Sequence, residues 1–281
     1  MLNTEARARL RPITRADLPE AQAITASLGW PHRVEDWDFM LGLGCGWAAR
    51  QDGALVGTGL CWTFGATAGA LGLVCVARAQ QGQGLGRRLL ERLLDALAGR
   101  QVVLFATEGG VRLYEGLGFR ACGLIRQQQG AAFQPPLMPL QPGQRIRPVG
   151  RSDPAKLAAL DEAATAMDRR ELIGALLDAG TGVVLDNDGT ATGFAILRRF
   201  GMGQVIGPVV APDAAGAQAL IGHFLAANPG QFIRIDVTEE SGFAPWLRKL
   251  GLADAGGAIR MVRGAETDRL RSFALASQAF G

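Results

Sequence analysis

Val74-Cys-Val-Ala-Arg-Ala-Gln-Gln-Gly-Gln-Gly-Leu-Gly86 runs from an apolar strand, through a glycine-rich turn, into a helix. The helix is legible from its period. Leu85, Leu89, Leu90, Leu93, Leu94 and Leu97 fall on one face, and Arg87, Arg88, Glu91, Arg92 and Asp95 on the other. A strand, a glycine turn and a helix N-terminus together make an anion cradle. The first-turn N–H groups lack intrahelical partners, and the helix dipole adds partial positive charge. Glycines let a phosphate approach without a Cβ in the way.

Three readings of the cradle compete. A phosphate loop of the G-x-x-x-x-G-K-S/T kind is excluded, because Arg87-Arg88 follow the turn and no hydroxyl is present for magnesium. A dinucleotide fingerprint needs G-x-G-x-x-G, whereas the spacing here is G-x-G-x-G, with no acidic residue placed for a ribose. The third reading is the pyrophosphate arm of coenzyme A.

The elements around the turn read as a mixed α/β unit. Leu10–Ile13 is a short strand, and Thr14 or Asp17 can cap a helix running to about Ser27. Trp47–Arg50 and Leu55–Phe64 are strands joined at Gln51-Asp52-Gly53, a hairpin signal. Ala70–Val76 leads into the turn. Gln101–Ala106, a short helix over Gly110–Leu117 and a strand over Phe119–Arg126 follow the helix.

The chain is written twice. Arg9-Leu-Arg-Pro-Ile-Thr-Arg-Ala-Asp17 returns as Arg145-Ile-Arg-Pro-Val-Gly-Arg-Ser-Asp153, an offset of 136. At that offset Asp52-Gly53 matches Asp188-Gly189, Gly57 matches Gly193, and Phe64-Gly65 matches Phe200-Gly201. An ordered series of this kind argues for two copies of one fold. The expected organisation is a first domain over 1–133, a Pro- and Gly-rich linker over 134–144, and a second domain over 145–281. A length of 281 residues agrees, at roughly 150 residues per domain.

Composition narrows the class. Apolar residues make up 48% and charged residues 20%, which suits globular cores rather than disorder. The net charge of +3 is too small to imply a nucleic-acid partner. No apolar run reaches the ~20 residues of a membrane span. The N-terminus lacks the apolar core of a signal peptide, so a cytoplasmic location is expected. Cys45, Cys61, Cys75 and Cys122 form no C-x-x-C, and the two histidines, His32 and His223, lack partners at metal spacing. Buried free thiols and no metal are expected.

The turn resembles the acetyl-CoA signature R/Q-x-x-G-x-G/A of GNAT-type N-acetyltransferases. Gln81, Gly84 and Gly86 stand at its fixed positions, and Gly82 matches a common extra glycine. Leu113-Tyr-Glu-Gly-Leu-Gly-Phe119 is similar to the family's L-Y-x-x-x-G-F, at the right distance. The tandem layout, including Gly207-Pro-Val-Val-Ala211, resembles a bacterial tandem-GNAT subgroup. The resemblance implies α/β domains, each a mixed sheet flanked by helices, and acetyl transfer from acetyl-CoA to an amine by direct attack. It implies that backbone amides of Val74, Cys75 and Val76 serve the thioester carbonyl. Gly82, Gln83, Gly84, Leu85, Gly86 and Arg87 would serve the pyrophosphate, and Thr107 the cofactor. Arg87 and Arg88 open the helix, where two readings stand side by side: contact with the adenosine 3′-phosphate and a solvated helix face. It implies Tyr114 as general acid to the sulfur, although a tyrosine capping a core fits the pattern too. Glu108 is the candidate base, beside a water chain.

The acceptor side is read from Gly29–Asp38. Trp30 and Trp37 offer aromatic walls, and His32 and Asp36 offer polar groups for an amine, while a surface helix with packed tryptophans reads as well. Asp236, on an apolar strand, is a further candidate. The second copy has Asp213-Ala-Ala-Gly-Ala where the glycine turn would be and Leu247 at the tyrosine position, so it should not bind acetyl-CoA productively. The C-terminal Ser272–Gly281 is apolar for a tail and should dock. The expected partner is a small amine. Oligomeric state is open, a homodimer included. Rival readings are a non-catalytic acyl-CoA-binding module and acetylation of a protein amine.

Overall fold

The computed structural model describes residues 8–136, 138–265 and 272–281. The first repeat runs β1 (Arg9–Pro12), α1 (Leu18–Ser27), α2 (Val34–Gly42), β2 (Cys45–Gln51), β3 (Ala54–Phe64), β4 (Ala68–Val76), α3 (Leu85–Ala96), β5 (Gln101–Ala106), α4 (Val111–Glu115) and β6 (Arg120–Ala131). The second runs β7 (Gln144–Pro148), α5 (Pro154–Thr165), α6 (Arg170–Ala179), β8 (Gly180–Asn187), β9 (Thr190–Phe200), β10 (Gly203–Val210), α7 (Ala214–Ala227), β11 (Phe232–Thr238), α8 (Ala244–Lys249) and β12 (Ala253–Arg263). The order of elements is the same in both, and β13 (Ser272–Ala274) follows.

The repetition reaches individual atoms. Asp52 and Gly53 sit at φ 50° and 84°, and Asp188 and Gly189 at 48° and 86°. Two consecutive left-handed residues are what a two-residue hairpin turn requires. Asp17 accepts the backbone N–H of Thr14 and a two-pronged Arg11, and Asp153 accepts that of Gly150 and a two-pronged Arg147.

Two compact units, Met1–Val102 and Val103–Gly281, do not divide at the Pro-rich segment. In the first unit β1, β2, β3 and β4 form an antiparallel meander. The leucine face of α3 packs on it, with Leu89, Leu90 and Leu93 wholly buried. Glycines in the strands make room: a Cβ on Gly59 would lie 2.7 Å from Leu93, and one on Gly69 2.7 Å from Leu97.

In the second unit the strand order is β5-β12-β6-β11-β13-β10-β9-β8-β7. The last strands of the two repeats are therefore exchanged. β6 of the first repeat pairs antiparallel with both β11 and β12 of the second. This exchange explains why the compact units and the repeats have different boundaries. The core of this unit gathers Leu220, Ile221 and Phe224 of α7 against Ile233 and Ile235 of β11 and Leu247 of α8. Among the described residues no helix is long and apolar enough to cross a membrane.

Candidate active site

In the first unit the site is built on the end of β4. Thr58 pairs with Cys75 and Leu60 with Gly72, so Leu73 and Val74 lie opposite the single residue Gly59. This bulge puts Leu73 at φ 51°, a left-handed conformation that costs a leucine roughly 1–2 kcal/mol. The buried Thr58 hydroxyl donates to the Leu73 carbonyl at 3.0 Å and fixes the strained residue. A bulge leaves its extra residue outside the ladder, with backbone groups unused by the neighbouring strand. The sequence did not announce it, because leucine carries no bias toward φ > 0.

Cys75 points inward from the same strand. Burial pushes its thiol up to about 12, against a weaker opposing hydrogen bond with Thr58, so it stays protonated near neutral pH. Val74 and Val76 are half-buried.

Beyond β4 the chain turns through Gly82 at φ 78° and Gly84 at φ 76°, and Gly84 caps α3 with no side-chain hydrogen bond. A Cβ at either position would meet nothing within 4 Å. Glycine is needed here for its backbone angle, and the space beside it is open to an anion. The Gln81 amide donates to the Val76 carbonyl at 3.0 Å and holds the turn against β4. The Gln83 amide reaches Ala79 O at 3.4 Å. Leu85 is buried and anchors the helix, while Arg87 is exposed, 3.9 Å from Glu91. Arg88 is committed elsewhere, donating to Ala8 O at 2.8 Å.

The acceptor candidates separate. Trp30 and His32 are half-buried with tilted rings 6.0 Å apart. Asp36 and Trp37 are structural. Asp36 is 3% exposed and caps α2, accepting the Arg33 N–H at 2.9 Å and its guanidinium at 2.6 Å. Trp37 is wholly buried, its indole N–H 3.4 Å from Thr25 Oγ1. Helical spacing put Trp37 on the core side of α2, so the packing alternative describes it.

In the second unit β5 ends at Thr107, which is exposed and leads the short 3-10 turn Glu108–Gly110. Glu108 is exposed. Tyr114 on α4 is half-buried, edge-on to Phe119 at 6.0 Å. A Cβ on Gly110 would lie 3.0 Å from the Tyr114 ring and 3.6 Å from Thr107 Oγ1, so turn, threonine and tyrosine form one cluster.

The second repeat fills the equivalent places with its own atoms. Asp213 caps α7, and its carboxylate accepts the Gly216 N–H at 2.7 Å, where α3 has only glycine. Leu247 accepts backbone bonds from Leu250 and Leu252 as Tyr114 does from Leu117 and Phe119. It is therefore the tyrosine's counterpart, and it is buried in the core. β10 and β11 run parallel over Gln204–Ile206 and Ile233–Ile235, then part. β13 fills the fork, pairing with Val209 and Val210 on one side and Val237 on the other. The tail thus docks inside its own repeat. Buried Arg169, two-pronged on Asp161, clamps it by donating to the main-chain oxygens of Phe280 and Gly281. Asp236 is 1% exposed and ion-paired with Arg234 at 2.8 Å, with Gln278 of the tail 3.5 Å away. Its charge is answered within the fold.

The thiols differ from expectation at two positions. Cys61 and Cys75 are buried, but Cys45 is exposed where the chain leaves α2, and Cys122 is half-buried beside Arg260. Among the described residues no group of three or more His, Cys, Asp or Glu is placed to hold a metal ion.

A family model described as an acetyltransferase (GNAT) domain matches residues 43–138, and a second of the same description matches 157–275. The chain belongs to the GNAT acetyltransferases. It carries two such domains in tandem. This tandem GNAT chain is 29% identical over 174 residues to the uncharacterized N-acetyltransferase YitH of Bacillus subtilis (strain 168). That match spans 61% of this chain and 61% of YitH. A Pyrococcus horikoshii protein, provisionally named an acetyltransferase, superposes with a TM-score of 0.81 at 21% identity, covering 98% of this chain and 96% of that one. A tandem GNAT protein from the clavulanic acid biosynthesis pathway superposes at 0.63 and 12% identity, over 92% and 100% of the two chains. At these identities the superpositions establish a shared fold.

Proposed function

We propose that this chain transfers an acetyl group from acetyl-CoA to the amine of a small acceptor, with its one donor site in the first repeat. The repeats are taken as 1–133 and 145–281, joined by 134–144. The observation that carries the reading is the contrast between two helix N-termini. α3 opens from Gly82 and Gly84 with space for an anion, whereas α7 is already capped by the carboxylate of Asp213.

Bound acetyl-CoA supplies an activated acetyl thioester. The first-turn N–H groups of α3, with those of Gly82 and Gln83, hold the pyrophosphate, and Arg87 adds charge. The bulged backbone of β4 at Leu73–Val76 offers N–H groups to the thioester carbonyl as negative charge develops there. Tyr114, by its place in the family motif, holds the proton that the departing sulfur needs. The protonated Cys75 supports direct attack by the amine over transfer through an enzyme thiol. Thr107 is assigned to the cofactor, Glu108 to the incoming amine's proton, and Trp30 and His32 to the acceptor.

Calorimetric titration with acetyl-CoA tests this reading, with Gly84→Glu alongside. The expected result is one acetyl-CoA per chain for the native protein and none for the variant, which puts an extended, charged side chain into the cradle. Two per chain would overturn the single-site reading, and no binding would overturn the donor site itself.

A further inference from the structure

Two cysteines outside the proposed site face each other directly. Cys45 opens β2 and is in register with Cys61 of β3, their sulfurs 3.6 Å apart. Directly opposed residues on an antiparallel ladder have Cα atoms about 4.5–5.5 Å apart. That lies inside the roughly 4.4–6.8 Å window of a disulfide. The neighbours of Cys45 are both glycines. A Cβ on Gly44 would lie 2.4 Å from Cys61 O, and one on Gly46 2.2 Å from Gly59 O. Side chains there would hold the strands apart.

The pair is also asymmetric. Cys45 is exposed, and Cys61 is 1% exposed. Donation from the Cys61 thiol holds Cys45 down at about 6, while Cys61 itself is pushed up by that bond and by burial. An accessible thiolate with a buried thiol in contact is the arrangement of an attacking and a resolving cysteine.

We propose that Cys45 and Cys61 form a thiol–disulfide modification site that reacts with small-molecule disulfides. The Cys45 thiolate attacks one sulfur of the small disulfide, forming a mixed disulfide and releasing one small thiolate. Cys61 then attacks Cys45 Sγ, its proton passing to solvent, and the second small thiolate leaves. The protein pair is oxidised by two electrons and the small disulfide is reduced to two thiols. The new bond ties the start of β2, immediately after α2, to β3. Cys75 takes no part because its register partner is Thr58, and the Cys122 sulfur lies against Arg260.

The test is incubation of the full chain with oxidised glutathione, followed by alkylation and peptide mapping without reductant. Thiols titrated under denaturing conditions should fall from four to two. The mass should drop by two hydrogens, a peptide joining Cys45 to Cys61 should appear, and dithiothreitol should reverse it. Cys45→Ser should abolish the cross-link and Cys122→Ser should leave it. A chain that keeps glutathione on Cys45 with Cys61 unbonded would overturn the proposal. So would a cross-link through Cys75 or Cys122, or a thiol count that stays at four.

Discussion

Tyr114 and Leu247 occupy the same place in the two repeats and accept equivalent backbone hydrogen bonds, but one carries a phenol and is half-buried while the other is aliphatic and fully buried. A tyrosine retained for packing alone would tolerate loss of its hydroxyl. Tyr114→Phe should lower the rate of thiol release with a reactive amine by about 100-fold. Acetyl-CoA affinity by calorimetry should be little changed, and an unaltered rate would sink the acid role. Asp17 shows a different kind of residue effect. Burial alone would raise its carboxyl, but Arg11, Arg50 and Thr14 together hold it well below the ordinary carboxylate range. A depressed folded-state pKa contributes stability that is full above the unfolded value, about 3.9, and is lost as the pH falls from there toward the folded value. Asp17→Asn should therefore lower the urea midpoint at pH 7, and the gap from the native protein should close below about pH 4. A gap constant with pH would contradict the charge argument.

At the scale of elements, α3 and α7 hold equivalent places in the two repeats and differ at their N-termini. Both follow a strand of the sheet, and both bury an apolar face. The first has a glycine N-cap that makes no side-chain hydrogen bond, and the second satisfies one of its N-terminal donors with Asp213. Asp213→Ala removes that cap and should cost about 1 kcal/mol in denaturant unfolding. Acetyl-CoA stoichiometry should stay at one, since β13 still fills the fork between β10 and β11. A second equivalent in that variant would mean the carboxylate alone had closed the second site. The helix over 85–96, its leucine face, the hairpin at Asp52-Gly53 and the turn into α3 were legible, because each rests on a period or on a residue with its own backbone preference. The bulge at Leu73 was not, since its stability comes from Thr58, a residue on the neighbouring strand. Trp37 and Asp36 looked like an acceptor wall in the sequence. Their burial depends on which face α2 turns inward, and apolar period alone left that between two readings.

At the scale of the whole molecule, the repeats are not independent bodies. β6 lies between β11 and β12, so the first repeat leaves its last strand within strands of the second. A fragment of residues 1–133 would carry that strand without partners. It should fail to give a cooperative unfolding transition by circular dichroism, whereas coexpression with 134–281 should restore a folded complex. A stable monomeric fragment would show that the exchange is dispensable.

The sequence by itself determined the duplication, the order of the elements, the glycine turn and the loss of that turn from the second copy. All of these are local: they follow from periodicity, from glycine's access to φ > 0, and from comparing the chain with itself. The tertiary structure alone decided the strand exchange, the seating of β13 in the fork, the bulge in β4 and the facing of Cys45 and Cys61. Each of these joins residues distant along the chain. A strand's pattern of side chains says which face is buried and is silent about which strand lies alongside, because backbone hydrogen bonding is the same for every partner.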